Sequence, residues 1–338
     1  MTAFASSGAE LPHGGNLGNA RRQFPDAPEP WVDLSTGINP FAYPVPPLEP
    51  EVFQRLPEPD ALLALQEAAG HTYGGIAPTR VVAAPGTQIL LPHLARLISP
   101  GRAAILAPTY AEHARAAALA GHKVEAVATL ADLASADLAV LVNPNNPDGR
   151  LLPRTDLLEL ADRIGTHGGL LIVDEAFMDV GPEGASLAAD IIDRRLVVLR
   201  SFGKFHGLAG IRLGFALANP EIASNLRSQL GPWIVSGPAL AIGIAALGDS
   251  AWAYYMRAKL IETAQRLDAL LQAVGLEIVG GTSLFRLIRA EKSDALWEHL
   301  ARQGILTRRF DQLPSHLRFG LPGNEAAWGR LETALRGA

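Results

Sequence analysis

Ser201-Phe-Gly-Lys204-Phe-His-Gly-Leu-Ala-Gly-Ile-Arg212-Leu-Gly214 decides how the chain is read. Before it stands an apolar run, Leu196-Val-Val-Leu199, and at its end another begins, Leu213-Gly-Phe-Ala-Leu217; both read as buried strands. Between them one lysine sits among glycines and small residues. The chain holds only four lysines, and Lys123, Lys259 and Lys292 lie in segments that read as ordinary surface. A lysine in an apolar turn loses solvation, which lowers its amine pKa and makes it a nucleophile toward carbonyl carbon. Ser201 and Arg212 flank it. Hydroxyl, amine and guanidinium together suit one phosphorylated aldehyde, the description of pyridoxal phosphate.

Outward from this turn, a regular alternation fills the middle of the chain. Val81–Ala84, Ala103–Leu106, Lys123–Ala128, Leu138–Val142 and Leu170–Val173 read as strands, separated by helical stretches. Such alternation predicts a parallel sheet flanked by helices, the α/β class. Each unusual polar cluster follows a strand: Gly86-Thr87-Gln88, Pro108-Thr-Tyr110, Asn143-Pro-Asn-Asn146, Asp174-Glu-Ala-Phe177 and the lysine turn. In open α/β sheets the ligand crevice lies at the carboxyl ends of the strands. Gly86, Tyr110, Asn146, Asp174 and Lys204 are therefore expected to face one crevice. There, a carboxylate such as Asp174 can keep a pyridine nitrogen protonated. Asn146 can donate to a phenolic oxygen, Tyr110 can stack on a ring, and the helix opening at Gly86-Thr87-Gln88 suits a phosphate.

The flanks read differently. Residues 1–12 read as a flexible arm, and His13-Gly-Gly-Asn16 as a turn in which the backbone can approach a ligand. Seven prolines from Pro40 to Pro59 make an extended strap, after which Asp60 is expected to cap a helix over 61–70. Past Pro232 the pattern becomes a small α+β domain. The expected organisation is an arm and strap over 1–45, a large cofactor domain over 46–235, and a small domain over 236–338.

Composition sets bounds. At 338 residues and net charge −5, with no basic run, the chain is not read as a nucleic-acid binder. With no cysteine and no clustered histidine pair, no metal site is expected. No apolar run reaches membrane-spanning length, and the first ten residues show no signal peptide. The expectation is a cytoplasmic protein without a membrane partner.

The segments Asn143–Gly149, Asp174–Phe177 and Ser201–Gly214 resemble the fold-type I pyridoxal-phosphate-dependent aminotransferase superfamily, in the branch containing histidinol-phosphate aminotransferases. Within that branch, His13-Gly-Gly-Asn16, Asp33-Leu-Ser-Thr-Gly-Ile-Asn-Pro40 and His316-Leu-Arg318-Phe-Gly320 look like the threonine-phosphate decarboxylases of cobalamin biosynthesis. The resemblance implies a large, mostly parallel domain with a small α+β domain, and pyridoxal 5'-phosphate as cofactor. It implies that Lys204 bonds the cofactor covalently, that Asp174 faces its ring nitrogen, and that Asn146 meets its phenolic oxygen. Tyr110 stacks, while Gly86, Thr87, Gln88, Ser201 and Arg212 bind the cofactor. Asn146 also borders the substrate, Arg318 holds its α-carboxylate, and His13, Gly15 and Asn16 lie near its phosphate.

The partner implied is a small phosphorylated amino acid, and the assembly a homodimer. Two residues depart from the pattern. Phe177 stands where many relatives carry a tyrosine on the phenolic oxygen, and Leu56 where a tyrosine often reaches the neighbouring subunit. Decarboxylation of L-threonine O-3-phosphate is the leading reading, a histidinol-phosphate-type aminotransferase the alternative. A chaperone-like protein that lost the chemistry is disfavoured by intact Lys204, Asp174 and Arg212.

Overall fold

The computed structural model describes residues 13–337, so the arm expected over 1–12 lies outside the described residues. Two compact units are present: residues 43–146 with 151–251, and residues 13–42 with 147–150 and 252–337.

Strands are numbered along the chain; the first, β1 (Val32–Asp33), belongs to the second unit. The first unit is built on β2 (Val81–Ala84), β3 (Arg102–Leu106), β4 (Lys123–Val127), β5 (Leu138–Val142), β6 (Leu170–Asp174), β7 (Leu196–Ser201) and β8 (Gly214–Ala218). They form one sheet in the order β2-β8-β7-β6-β5-β3-β4. Only β8 runs against its neighbours, pairing antiparallel with both β2 and β7. The central strands β5 and β6 are buried at every position, because helices cover both faces of a parallel sheet and leave no polar side to alternate. On one face every second residue, among them Ile105, Val140, Ile172 and Leu199, packs on helices Thr87–Ala95, Glu112–Leu119 and Pro220–Leu230. A leucine such as Leu138, 1% exposed, contributes about 1.5–3 kcal/mol through this burial.

The boundary between the units falls at 251/252 rather than at 235/236. Helix Gly237–Gly248 is apolar on nearly every side and packs on helix Pro59–Thr72, where Leu65 reaches Gly243; it therefore belongs with the sheet. The latter helix also begins earlier than expected. Pro59 occupies its first position, where a missing N–H costs nothing, and Asp60 lies in the first turn rather than at the cap.

In the second unit β1 pairs in parallel with β11 (Ile305–Leu306). A separate antiparallel sheet has the order β12-β13-β10-β9, from β9 (Glu277–Thr282), β10 (Phe285–Arg289), β12 (Arg308–Arg309) and β13 (His316–Gly320). Helices Ser293–Arg302 and Glu325–Arg336 pack together in this unit. Among the described residues no helix is long and apolar enough to cross a membrane.

Candidate active site

In the first unit the polar clusters are set by the strand ends. Ala84, Gly214 and Ser201 stand in one row across β2, β8 and β7. Beyond Ala84 the chain turns at Gly86, whose φ of +84° lies in the left-handed region that only glycine enters without strain. Gly86 then precedes helix Thr87–Ala95 without offering a side-chain cap, so the first-turn N–H groups of Thr87 and Gln88 receive no cap from it. A side chain at Gly86 would begin 2.6 Å from Arg212 Nη2, so the guanidinium lies directly over the glycine. Arg212 itself has φ +56°, a conformation that costs a non-glycine residue about 1–3 kcal/mol and persists only where the surroundings impose it. A positive helix end and a guanidinium thus meet at a backbone with no side chain in the way.

From this point contacts run without a break to the acid on β6. Gln88 accepts a hydrogen bond from the Tyr110 hydroxyl at 3.0 Å. The Tyr110 ring meets His113 edge-on at 5.8 Å between centroids. His113 Nε2 stands 2.9 Å from Asp174 Oδ2, and both side chains are buried. The other oxygen, Asp174 Oδ1, accepts from the N–H of Ala176 at 3.0 Å, which fixes the carboxylate plane. Lys204 lies on the one-turn helix Phe202–Phe205 that follows β7, partly buried, its Nζ 5.8 Å from the centre of the Phe177 ring. Asn146 follows β5, whose last residue pairs with Asp174. Its neighbour Asn145 donates to Pro108 O at 2.9 Å and accepts from Thr109 Oγ1 at 2.8 Å, so the asparagine turn and the tyrosine turn are tied together. Leu56 is 65% exposed.

Behind the site sits a buried ionic group that the sequence reading missed. Arg200 donates to Glu175 Oε2 at 2.9 Å and to Asp179 Oδ1 at 2.6 Å, clamping the ends of β6 and β7 to each other. Removing Arg200 would leave two buried carboxylates without their counter-charge, a loss of about 3–5 kcal/mol. His113 and Asn145 were also missed: a histidine in an alanine-rich helix and an asparagine among asparagines carry no pattern that marks them.

In the second unit three separate motifs converge on Ser35. Its hydroxyl accepts from the N–H of Gly15 at 2.7 Å and donates to Asp33 Oδ1 at 2.6 Å. Its carbonyl accepts from Arg318 Nη2 at 2.9 Å. A side chain at Gly14 would begin 2.4 Å from that same carbonyl oxygen, so the close approach requires glycine. Asn16 has a further task that the turn reading did not include. Its Oδ1 accepts from Asn19 N at 3.0 Å and caps helix Leu17–Gln23, so only its amide nitrogen remains to meet an anion. A cleft of about 410 Å3 is lined by His13, Gly14, Asn16, Ser35, Arg308 and His316, among others. Arg308 stands directly opposite Arg318 in the β12–β13 register, a like-charge pair that an anion would relieve. Burial, and after it Arg308, pushes the Arg318 guanidinium down to about 9, with Asp33 opposing. Strand register is invisible in the sequence, so Arg308 was not singled out.

The profile of the family "aminotransferase class I and II" matches residues 30–333. The threonine-phosphate decarboxylase of Pseudomonas aeruginosa is 44% identical over 330 residues, covering 97% of this chain and 98% of that one. That of a Sinorhizobium species is 42% identical over 332 residues, with 97% and 98% covered. Among solved structures, histidinol-phosphate aminotransferase from Sinorhizobium meliloti, in complex with pyridoxal-5'-phosphate, superposes with a TM-score of 0.82 at 22% identity, covering 94% of each chain.

Proposed function

Because the chain belongs to the aminotransferase class I and II family, we propose that it is a pyridoxal-5'-phosphate-dependent carboxy-lyase. It converts L-threonine O-3-phosphate to (R)-1-aminopropan-2-yl phosphate and carbon dioxide. The observation that carries the reading is the convergence on Ser35 of the His-Gly-Gly-Asn turn and the Arg318 strand. Near-full-length identity to decarboxylases of that name supports it.

The first unit fits the cofactor. The bare backbone at Gly86 beneath Arg212, at the start of an uncapped helix, offers a cradle for a phosphate. Buried Asp174, steadied by His113, offers a fixed negative charge for a ring nitrogen. In this reading Gly86, Thr87, Gln88, Ser201 and Arg212 hold the phosphate end, Tyr110 covers the ring, and Asn146 meets the phenolic oxygen. When bound, the cofactor supplies an aldehyde carbon that takes the substrate amine and a protonated ring that accepts the electron pair of the broken bond.

The protein decides which bond that is. Arg318 holds the substrate carboxylate in the two-pronged way a guanidinium allows. His13, Gly15 and Asn16, joined by Arg308, take its phosphate. Anchors at both ends of a short substrate fix its rotation, so the Cα–carboxylate bond is presented for cleavage rather than Cα–H. Positioning of this kind lowers the barrier by several kcal/mol. Lys204 Nζ then returns a proton to Cα in place of the carboxylate. The enzyme acts in the cytoplasm as a homodimer.

The test compares kcat/KM for threonine phosphate and for unphosphorylated threonine. The phosphate supplies remote binding energy that enforces the pose, so the free amino acid reacts far more slowly. Asn16→Ser, which keeps a helix cap but removes the amide, is expected to narrow the gap. Equal rates for both substrates in the wild type contradict the assignment.

A further inference from the structure

A directed line of hydrogen bonds leads away from Tyr110. Its hydroxyl donates to Gln88 Oε1 at 3.0 Å, and Gln88 Nε2 donates to Glu112 Oε2 at 2.9 Å. Arg115 Nη1 donates to the same Glu112 oxygen at 3.3 Å. Glu112 is 4% exposed, although it opens helix Glu112–Leu119 and its partner Arg115 reaches the surface.

A buried carboxylate beside an amide imposes a direction. A carboxylate accepts hydrogen bonds and donates none, so Gln88 must turn its NH2 toward Glu112 and its carbonyl toward Tyr110. Tyr110 has one proton, and that carbonyl takes it. Were residue 112 an amide, Gln88 would be satisfied in either orientation and the hydroxyl would lose its fixed partner. Gln88 also lies in the first turn of helix Thr87–Ala95, so one side chain links the phosphate cradle to the tyrosine ring.

We propose that Glu112 is a positioning residue of the cofactor site. Acting through Gln88, it sets the plane of the Tyr110 ring and commits the Tyr110 proton, so that Tyr110 works by its face and not as an acid. This rests on the reading of Tyr110 as the cover of the cofactor ring.

The experiment titrates apoprotein with pyridoxal phosphate and records the dissociation constant and the visible circular dichroism of the bound cofactor. Glu112→Gln and Tyr110→Phe are each expected to weaken binding roughly 3- to 10-fold, the size of one net hydrogen bond, and to reduce the dichroism. The double variant is expected to lose no more than either single one, because both cut the same line. Gln88→Met, which keeps the length but removes both bonds, should match Tyr110→Phe and serves equally if Glu112→Gln does not fold. Losses that add in the double variant, or wild-type affinity and dichroism in Glu112→Gln, overturn the proposal. Tyr110→Ala separates the two levels. If it also leaves binding unchanged, the ring-cover reading fails and the line fails with it. If it weakens binding while Glu112→Gln does not, only the line is wrong.

Discussion

His113 Nε2 approaches Asp174 Oδ2 to 2.9 Å inside a buried environment, where a hydrogen bond to a carboxylate is stronger than in water. The pair keeps the carboxylate fixed in position before any ligand arrives. Asp174→Asn retains shape but not charge, so it is expected to fold and bind cofactor while kcat falls by about 10²–10³-fold, the usual cost of losing one preorganised electrostatic contact. His113→Asn should fall less, since the charge stays and only its orientation is loosened. Steady-state kinetics with threonine phosphate decide this; an unchanged kcat in Asp174→Asn makes the residue structural.

Lys204 is the only lysine in the lysine turn, and it stands beside the face of Phe177. Lys204→Ala is expected to abolish turnover and the visible absorbance of lysine-bound cofactor, while the thermal midpoint of the apoprotein stays within a few degrees. Near-normal activity in this variant would remove the basis of the chemistry.

Much of this was legible because the signals are local. Buried parallel strands show as apolar runs, and the turns after them, from Gly86 to Lys204, show as breaks in that pattern. What was not legible depends on pairing through space. Arg308 faces Arg318 only through the β12–β13 register. His113 reaches Asp174 across 61 residues of chain. The Arg200–Glu175–Asp179 group needs the ends of two adjacent strands to be known first. The unit to which helix Gly237–Gly248 belongs is not written in the sequence, because an all-apolar helix does not say which neighbour buries it.

Arg318 gives a pH dependence with a definite sign. Its guanidinium is pushed down to about 9, chiefly by burial. A bound carboxylate pairs with the charged form, so binding is at full strength below that value and weakens as pH rises through it, approaching tenfold per unit. A phosphorylated hydroxy acid without an amine isolates this effect, because it adds no titrating group in the range. Its inhibition constant is expected to be flat from pH 7 to 8 and to rise above about 9. A flat profile up to pH 10 would mean that Arg318 stays charged throughout or does not hold the carboxylate. Arg318→Lys should weaken the inhibitor strongly at pH 7, since an ammonium cannot form the paired contact.

The proline-rich segment, which forms a short helix at Glu51–Gln54 instead of running extended throughout, exposes Phe53 at 67%, Leu56 at 65% and Val45 at 47%. Three large apolar side chains exposed so close together in sequence suit a surface that a second copy of the chain would cover. A homodimer is expected by sedimentation velocity, and Phe53→Asp combined with Leu56→Asp should shift it toward monomer. A wild-type monomer that remains active at working concentration contradicts this.

The most direct measurement counts carbon dioxide. Transamination stops after one equivalent per site unless a keto acid restores the cofactor, whereas decarboxylation leaves the cofactor ready for the next substrate. Purified protein loaded with pyridoxal phosphate is given excess threonine phosphate without any keto acid. The account predicts carbon dioxide released in large excess over active sites, at a steady rate that 2-oxoglutarate does not change. No carbon dioxide, with threonine phosphate consumed to one equivalent per site and further only when 2-oxoglutarate is added, would make the protein an aminotransferase and contradict the account.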